Sequence, residues 1–186
     1  MNEDKSIKKN ENIIEKPVIM FKENKIIYKG NWDLIGNKQG FGICLDIVGN
    51  KYIGYWKNNK YHGKGRLISI NGDYYEGDFV NGNIEGTGTF YNSKEKYTYV
   101  GGFLENKFNG IGEIIYQNTC DGEIHLYKGN FKNGCSEGKG KLEYNNGNYY
   151  EGEFINNCFN GNGCFFFNNG SYYKWNWENN NINGIG

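Results

Sequence analysis

Aromatic and apolar residues in this chain alternate with polar ones at a period of two, in stretches of seven to ten residues broken by Asn/Gly-rich segments. The clearest of these patterns is Tyr-x-Gly-x-(Trp/Phe). It occurs as Tyr28-Gly30-Trp32, Tyr52-Gly54-Trp56, Tyr75-Gly77-Phe79, Tyr99-Gly101-Phe103, Tyr127-Gly129-Phe131 and Tyr150-Gly152-Phe154. A seventh copy, Tyr173-Trp175-Trp177, has Trp where the others have Gly. Residues at i, i+2 and i+4 share one face of a strand, so each copy predicts a strand with an aromatic-glycine face. A Gly between two aromatics leaves room for a ring from the neighbouring hairpin to lie against backbone.

A second pair, Gly-x-Gly, follows each Tyr by eleven and thirteen residues, as in Gly63/Gly65 after Tyr52. The first copy alone is one residue longer, with Gly40/Gly42 after Tyr28, which places an inserted residue in its loop. The Gly-x-Gly pair opens a return strand, and each unit is predicted to be a β-hairpin. Asn71-Gly72, Asn146-Gly147 and Asn169-Gly170 fall between units, where they suit type I′ turns. Successive hairpins at a nearly constant repeat length predict an all-β fold, an elongated single antiparallel sheet of tandem hairpins in which each unit packs on its neighbours. At ~4.8 Å per strand, fourteen strands would extend roughly 65 Å. The fourth unit is longer than the others, with an insertion around 118–123.

Three regions are expected. Residues 1–17 form a disordered or loosely packed arm. Residues 18–27 form an N-terminal capping strand, the return half of a degenerate repeat. Residues 28–186 carry about seven hairpins, the last incomplete because Gly184 and Gly186 sit where its return strand should begin. That leaves Tyr173, Trp175 and Trp177 on an open edge, a candidate dimer contact.

These repeats resemble the MORN (membrane occupation and recognition nexus) repeat, whose pattern is Tyr-x-Gly-x-(Trp/Phe), a short loop, then Gly-x-Gly. The resemblance covers about residues 28–186. It implies a grooved, non-catalytic scaffold or adaptor that binds a cytoskeletal, motor or membrane-associated protein partner. It further implies a cytoplasmic setting at a membrane or cytoskeletal structure, and homodimerisation through the C-terminal repeats. Two alternatives remain open. One is a phospholipid-binding module. The other is the regulatory repeat region of a larger enzyme, a lipid kinase or SET-domain methyltransferase.

Composition narrows the reading. Aromatics at 17 % exclude a disordered low-complexity chain. Asn occurs 32 times and Ala never, and part of that Asn excess is expected from AT-rich codon usage. The formal net charge of +0 gives no long-range field for nucleic acid. Five Cys, odd in number and without a C-x-x-C, predict reduced thiols and neither a disulfide framework nor a zinc site, although Cys158 and Cys164 could approach within one hairpin. His62 is assigned to a repeat loop and His125 to the inserted junction, and neither has a Cys or Ser at a motif spacing. The carboxylate pairs Glu76/Asp78 and Glu151/Glu153 read as solvated charge. No catalytic, metal or cofactor site is predicted.

The face opposite the aromatic-glycine pattern is apolar through the first four units and polar from the fifth. Ile43, Ile53, Tyr55, Ile68, Tyr91, Val100, Ile111 and Ile115 are the candidate lining of a partner groove. An apolar second face must be covered or used. The competing expectation is that the arm (Ile13, Ile14, Val18) folds over it, or that sheet curvature closes it. Lys64, Arg66, Lys139 and Lys141 are the candidate lipid-headgroup contacts, at roughly 1 kcal/mol per basic residue near an anionic leaflet.

Overall fold

The computed structural model describes residues 13–21 and 26–183. The expected disorder at 1–12 and the glycines at 184 and 186 lie outside these residues. The described chain is one sheet of fifteen antiparallel strands in sequence order. They are β1 (Ile14–Phe21), β2 (Ile26–Trp32), β3 (Lys38–Leu45), β4 (Lys51–Lys57) and β5 (Lys60–Ile68). There follow β6 (Tyr74–Val80), β7 (Asn83–Asn92), β8 (Tyr97–Leu104), β9 (Lys107–Tyr116) and β10 (Ile124–Lys132). The last five are β11 (Cys135–Tyr144), β12 (Tyr149–Ile155), β13 (Cys158–Phe166), β14 (Tyr172–Glu178) and β15 (Asn181–Asn183). No helix among the described residues is long and apolar enough to cross a membrane.

The aromatic-glycine face holds the core. Each repeat Tyr from Tyr28 to Tyr150 packs edge-on against the Trp or Phe four residues ahead and against the equivalent ring of the next repeat. Tyr28 is 5.0 Å from Trp32 and 5.3 Å from Trp56, and Tyr99 is 5.1 Å from both Phe103 and Phe131. Such contacts contribute about 0.5–1.5 kcal/mol each beyond area burial. Linked from repeat to repeat, they tie the length of the sheet together without a globular centre.

The glycines explain how the Tyr ring fits. A Cβ on Gly54 would stand 2.6 Å from the Tyr52 hydroxyl oxygen, and one on Gly65 would stand 2.7 Å from Tyr52 Cζ. The ring that lies over the glycines therefore belongs to the repeat's own Tyr and not to the neighbouring hairpin, which corrects the sequence expectation. Gly54 pairs with Gly65, and Gly65 with Gly77. The same register puts one glycine on each strand from β2 (Gly30) to β13 (Gly163), in an unbroken row across the sheet. Trp175 faces Gly163 and ends it.

Turn chemistry also departs from expectation. The connections with positive φ at both central residues, as type I′ requires, lie inside the units: Asn58-Asn59, Asn81-Gly82, Glu105-Asn106, Asn133-Gly134, Asn156-Asn157 and Asn179-Asn180. Between units, Gly72 has a φ of 92° but Asn71 does not, and Gly72 N–H donates to the Ser69 carbonyl at 3.0 Å. That is a three-residue loop with Gly as the bulge residue. The extra residue of the first unit makes its inner loop the same kind, with Gly36 N–H donating to Asp33 O.

Asn side chains join one repeat to the next. Asn59 Oδ1 accepts from Lys38 N–H at 2.8 Å, Asn106 Oδ1 from Ile84 N–H at 2.8 Å, and Asn180 Oδ1 from Phe159 N–H at 2.7 Å. Asn at these positions thus combines tolerance of positive φ with an inter-repeat bond, a structural role that codon usage does not supply.

At the N-terminal edge, β1 reaches back to Ile14, so residues 14–17 are strand, paired with β2, rather than arm. Ile14 and Val18 are accordingly edge-strand residues and do not fold over the second face. Pro17 coincides with a register shift between Lys16 and Ile19, a device that blunts an exposed edge. Cys158 and Cys164 lie on one strand, β13, with partners Ile155 and Glu151, so they are separated along its length and do not approach each other. Both His residues are in strands, His62 in β5 and His125 in β10.

Candidate partner-binding groove

On the second face the side chains flanking the glycine row form two ridges across the strands. One ridge runs through Ile43, Ile53, Arg66, Glu76, Thr89 and Val100, each paired with the next. The other carries Phe41 opposite Tyr55, then Lys64 opposite Asp78, then Thr87. Between them runs an open groove of about 1070 Å³, floored by the backbone of Gly54, Gly65, Gly77, Gly88 and Gly101. Two smaller recesses continue along the same line, one at Lys128, Lys139, Lys141, Glu151 and Glu153, the next at Cys164, Lys174 and Trp175. Their volumes are about 600 and 480 Å³.

Ile53, Tyr55 and Val100 line the main groove. Ile43 continues its first ridge and Ile111 its second, and both are exposed. Ile68, Tyr91 and Ile115 belong to a third row and do not line the groove, although Tyr74 of that row, paired to both Ile68 and Tyr91, does. Tyr74 and Tyr91 stack at 5.5 Å. Phe41, Tyr74, Glu76, Thr87 and Thr89 are lining residues absent from the sequence-based set. Alternation around Gly86 and Gly88 places the two threonines on this face, but their small hydroxyl side chains carry no hydrophobic signal. Phe41 meets Tyr55 edge-to-face at 5.7 Å, and the two are 47 % and 53 % exposed, so sheet curvature does not close over them and neither do the described residues 13–21.

The basic side chains considered for headgroups are mostly engaged. Lys64 pairs with Asp78 at 2.7 Å, and that contact is the main reason the Asp78 carboxyl is held below its ordinary range. Arg66 lies 3.7 Å from Glu76 and stacks over Tyr74 at 4.8 Å. Lys141 bonds Glu143 at 2.8 Å, which raises its pKa, and sits 4.4 Å over the Tyr149 ring. Lys139 faces Glu153 in register. Exposed ion pairs of this kind contribute little, about 0–1 kcal/mol, but they offset the charge a phosphate would meet.

The proposed dimer edge divides. Trp177 is a core residue, 8 % exposed, 5.4 Å from both Tyr150 and Phe159, with its indole N–H donating to Gly163 O at 3.2 Å. Its strand neighbour β15 covers residues 176–178. Tyr173 and Trp175 are exposed.

Among solved structures, the chain is similar to the TCP domain of SAS-4 from Drosophila melanogaster, solved in complex with a proline-rich motif of Ana2. Sequence identity is 14 %, coverage is 73 % of this chain and 83 % of that one, and the TM-score is 0.33, too low to carry any functional inference. The MORN repeat profile matches residues 52–74, 75–94, 99–120, 127–149 and 150–172, five consecutive copies that leave the first and seventh hairpins unmatched. With the repeat pattern, the meander and these five matches in agreement, this chain belongs to the MORN repeat family.

Proposed function

We propose that the protein is a non-catalytic scaffold whose second-face groove receives a segment of a protein partner lying across the strands. The observation that carries this reading is the groove at Phe41, Ile53 and Tyr55, where Phe41 and Tyr55 are half exposed beside a backbone floor and the partly buried Ile53. A segment laid there buries apolar area along a line, as groove-binding peptides do, without needing a deep pocket. A membrane–cytoskeleton setting is part of this proposal on the family resemblance alone, and no residue of this chain carries it. A headgroup-binding function is less well supported, because Lys64, Arg66 and Lys141 already have acidic partners. Association of two copies through Tyr173 and Trp175 is compatible with this function.

The test is a pull-down from native lysate with the intact chain and with Tyr55→Ala. Partners retained by the first and lost by the second support the groove. Equal recovery by both sends the interaction elsewhere on the molecule.

A further inference from the structure

The net charge of +0 hides a strong asymmetry. Between residues 26 and 72 seven Lys and Arg face two Asp, whereas between 73 and 183 fourteen Asp and Glu face eight Lys. The two acids of the basic half are both engaged within their own turns. Asp33 accepts from Ile35 N–H and Asn37 N–H, and Asp46 from Val48, Gly49 and Asn50 N–H, at 2.8 to 3.1 Å. Strand alternation puts Lys29, Lys51, Lys57 and Lys60 on the second face, beside the apolar end of the groove. All four are exposed, and none has an acidic partner within 4 Å among the described residues. Lys57 and Lys60 stand directly opposite each other across the Asn58-Asn59 turn. Like charges in that arrangement destabilise a hairpin, so folding gives no reason for them.

We infer that the occupant of this half of the groove is an acidic protein segment carrying aromatic or aliphatic anchors. The inference rests on the groove reading above and adds the chemistry of the partner. The anchors enter between Phe41, Ile53 and Tyr55, while carboxylates meet Lys57 and Lys60 beyond one ridge and Lys29 and Lys51 on the other side. Charge complementarity of this kind sets association rate and partner choice more than final affinity, and it weakens with salt. A peptide segment suits the site better than an anionic bilayer, because a recess of about 1070 Å³ can be filled by side chains but not by a flat surface. The rejection of basic partners comes from the same four lysines.

The experiment selects a displayed random-peptide library on the intact protein, then measures the recovered peptides by fluorescence anisotropy. Net-negative sequences with apolar anchors are expected. Their affinity should fall about tenfold or more with Lys57→Glu/Lys60→Glu and with Tyr55→Ala, and should weaken as salt rises through about 0.15 M. Near-UV circular dichroism establishes that both variants are folded. Peptides that ignore Tyr55→Ala overturn the groove itself. Peptides that need Tyr55 but carry no net negative charge, and tolerate the double Glu variant, leave the groove standing and overturn the acidic partner. A selection with no enriched sequence overturns both. Phosphatidylserine-containing vesicles that displace the peptides, and lose binding in the double Glu variant, overturn the choice of a protein over a membrane.

Discussion

The Tyr52 hydroxyl donates a 2.8 Å hydrogen bond to the carbonyl oxygen of Tyr55, three residues ahead on the same strand. The ring can reach it only by lying flat over Gly54 and Gly65. The same bond recurs from Tyr28 to Asn31, Tyr75 to Asp78, Tyr99 to Gly102, Tyr127 to Asn130 and Tyr150 to Glu153. Aromatic, glycines and bond therefore form one unit, which accounts for the joint recurrence of Tyr, Gly and Gly-x-Gly.

Removing the hydroxyl and filling the space under the ring should have different costs. Tyr99→Phe leaves the Gly102 carbonyl without its donor and is expected to lower stability by about 1–2 kcal/mol. Gly112→Ala places a methyl 2.5 Å from Tyr99 Cε2, and overpacking against a clamped ring should cost about 3 kcal/mol. Urea denaturation of the two variants checks the order; a milder effect for the alanine would sink the packing account.

Alkaline pH should unfold the sheet. Burial raises the pKa of Tyr28, Tyr99, Tyr127 and Tyr150 to about 12, and pushes Tyr52 and Tyr75 up as well. The neutral phenol is the form the fold favours. Its stabilisation is fully present below the unfolded value, about 10, and is lost as pH rises through the folded values. Denaturation midpoints should therefore hold up to about pH 10 and fall between about 10 and 12. A circular dichroism spectrum and urea midpoint unchanged up to about pH 12 would contradict this.

The Asn ladder can be tested at Asn106, where φ is 64° and Oδ1 accepts from Ile84 N–H. Asn106→Gly keeps the backbone conformation and loses the bond, at about 1 kcal/mol. Asn106→Ala loses both and should cost about 1 kcal/mol more. Thermal melts should rank wild type above Gly above Ala.

Thiol reactivity should separate the cysteines. Cys120 is exposed, whereas Cys44 is 6 % exposed and burial raises its thiol pKa. A disulfide dye reagent should label Cys120 first and Cys44 only upon unfolding. Simultaneous labelling in the native protein would contradict the packing of Cys44 beneath Lys38, whose ammonium lies 3.9 Å from the sulfur and 4.6 Å from the Trp56 ring.

The chain of local patterns determined the architecture. Tyr, Gly and Trp/Phe at a period of two specify a strand face, and their recurrence specifies a meander, because each hairpin can bury its rings only against the next. Second-face membership was likewise legible from alternation, which places Ile53, Tyr55 and Val100 there. Register and turn geometry were not legible. Whether Asn71-Gly72 or Asn58-Asn59 makes the type I′ turn depends on loop length measured between paired residues, and pairing is a property of two strands together. The separation of Tyr55, beside the groove floor, from Ile68, one row outside it, has the same origin. Burial of Trp177 came from the Tyr150 and Phe159 rings of the preceding hairpin, which strand pairing brought against it. The basic end was present in the sequence as a difference between segments, but its meaning waited on the structure. Only folding placed four lysines, without an acidic partner among the described residues, on the face where Phe41 and Tyr55 are exposed, because strand alternation selects a face and the sheet decides what shares it.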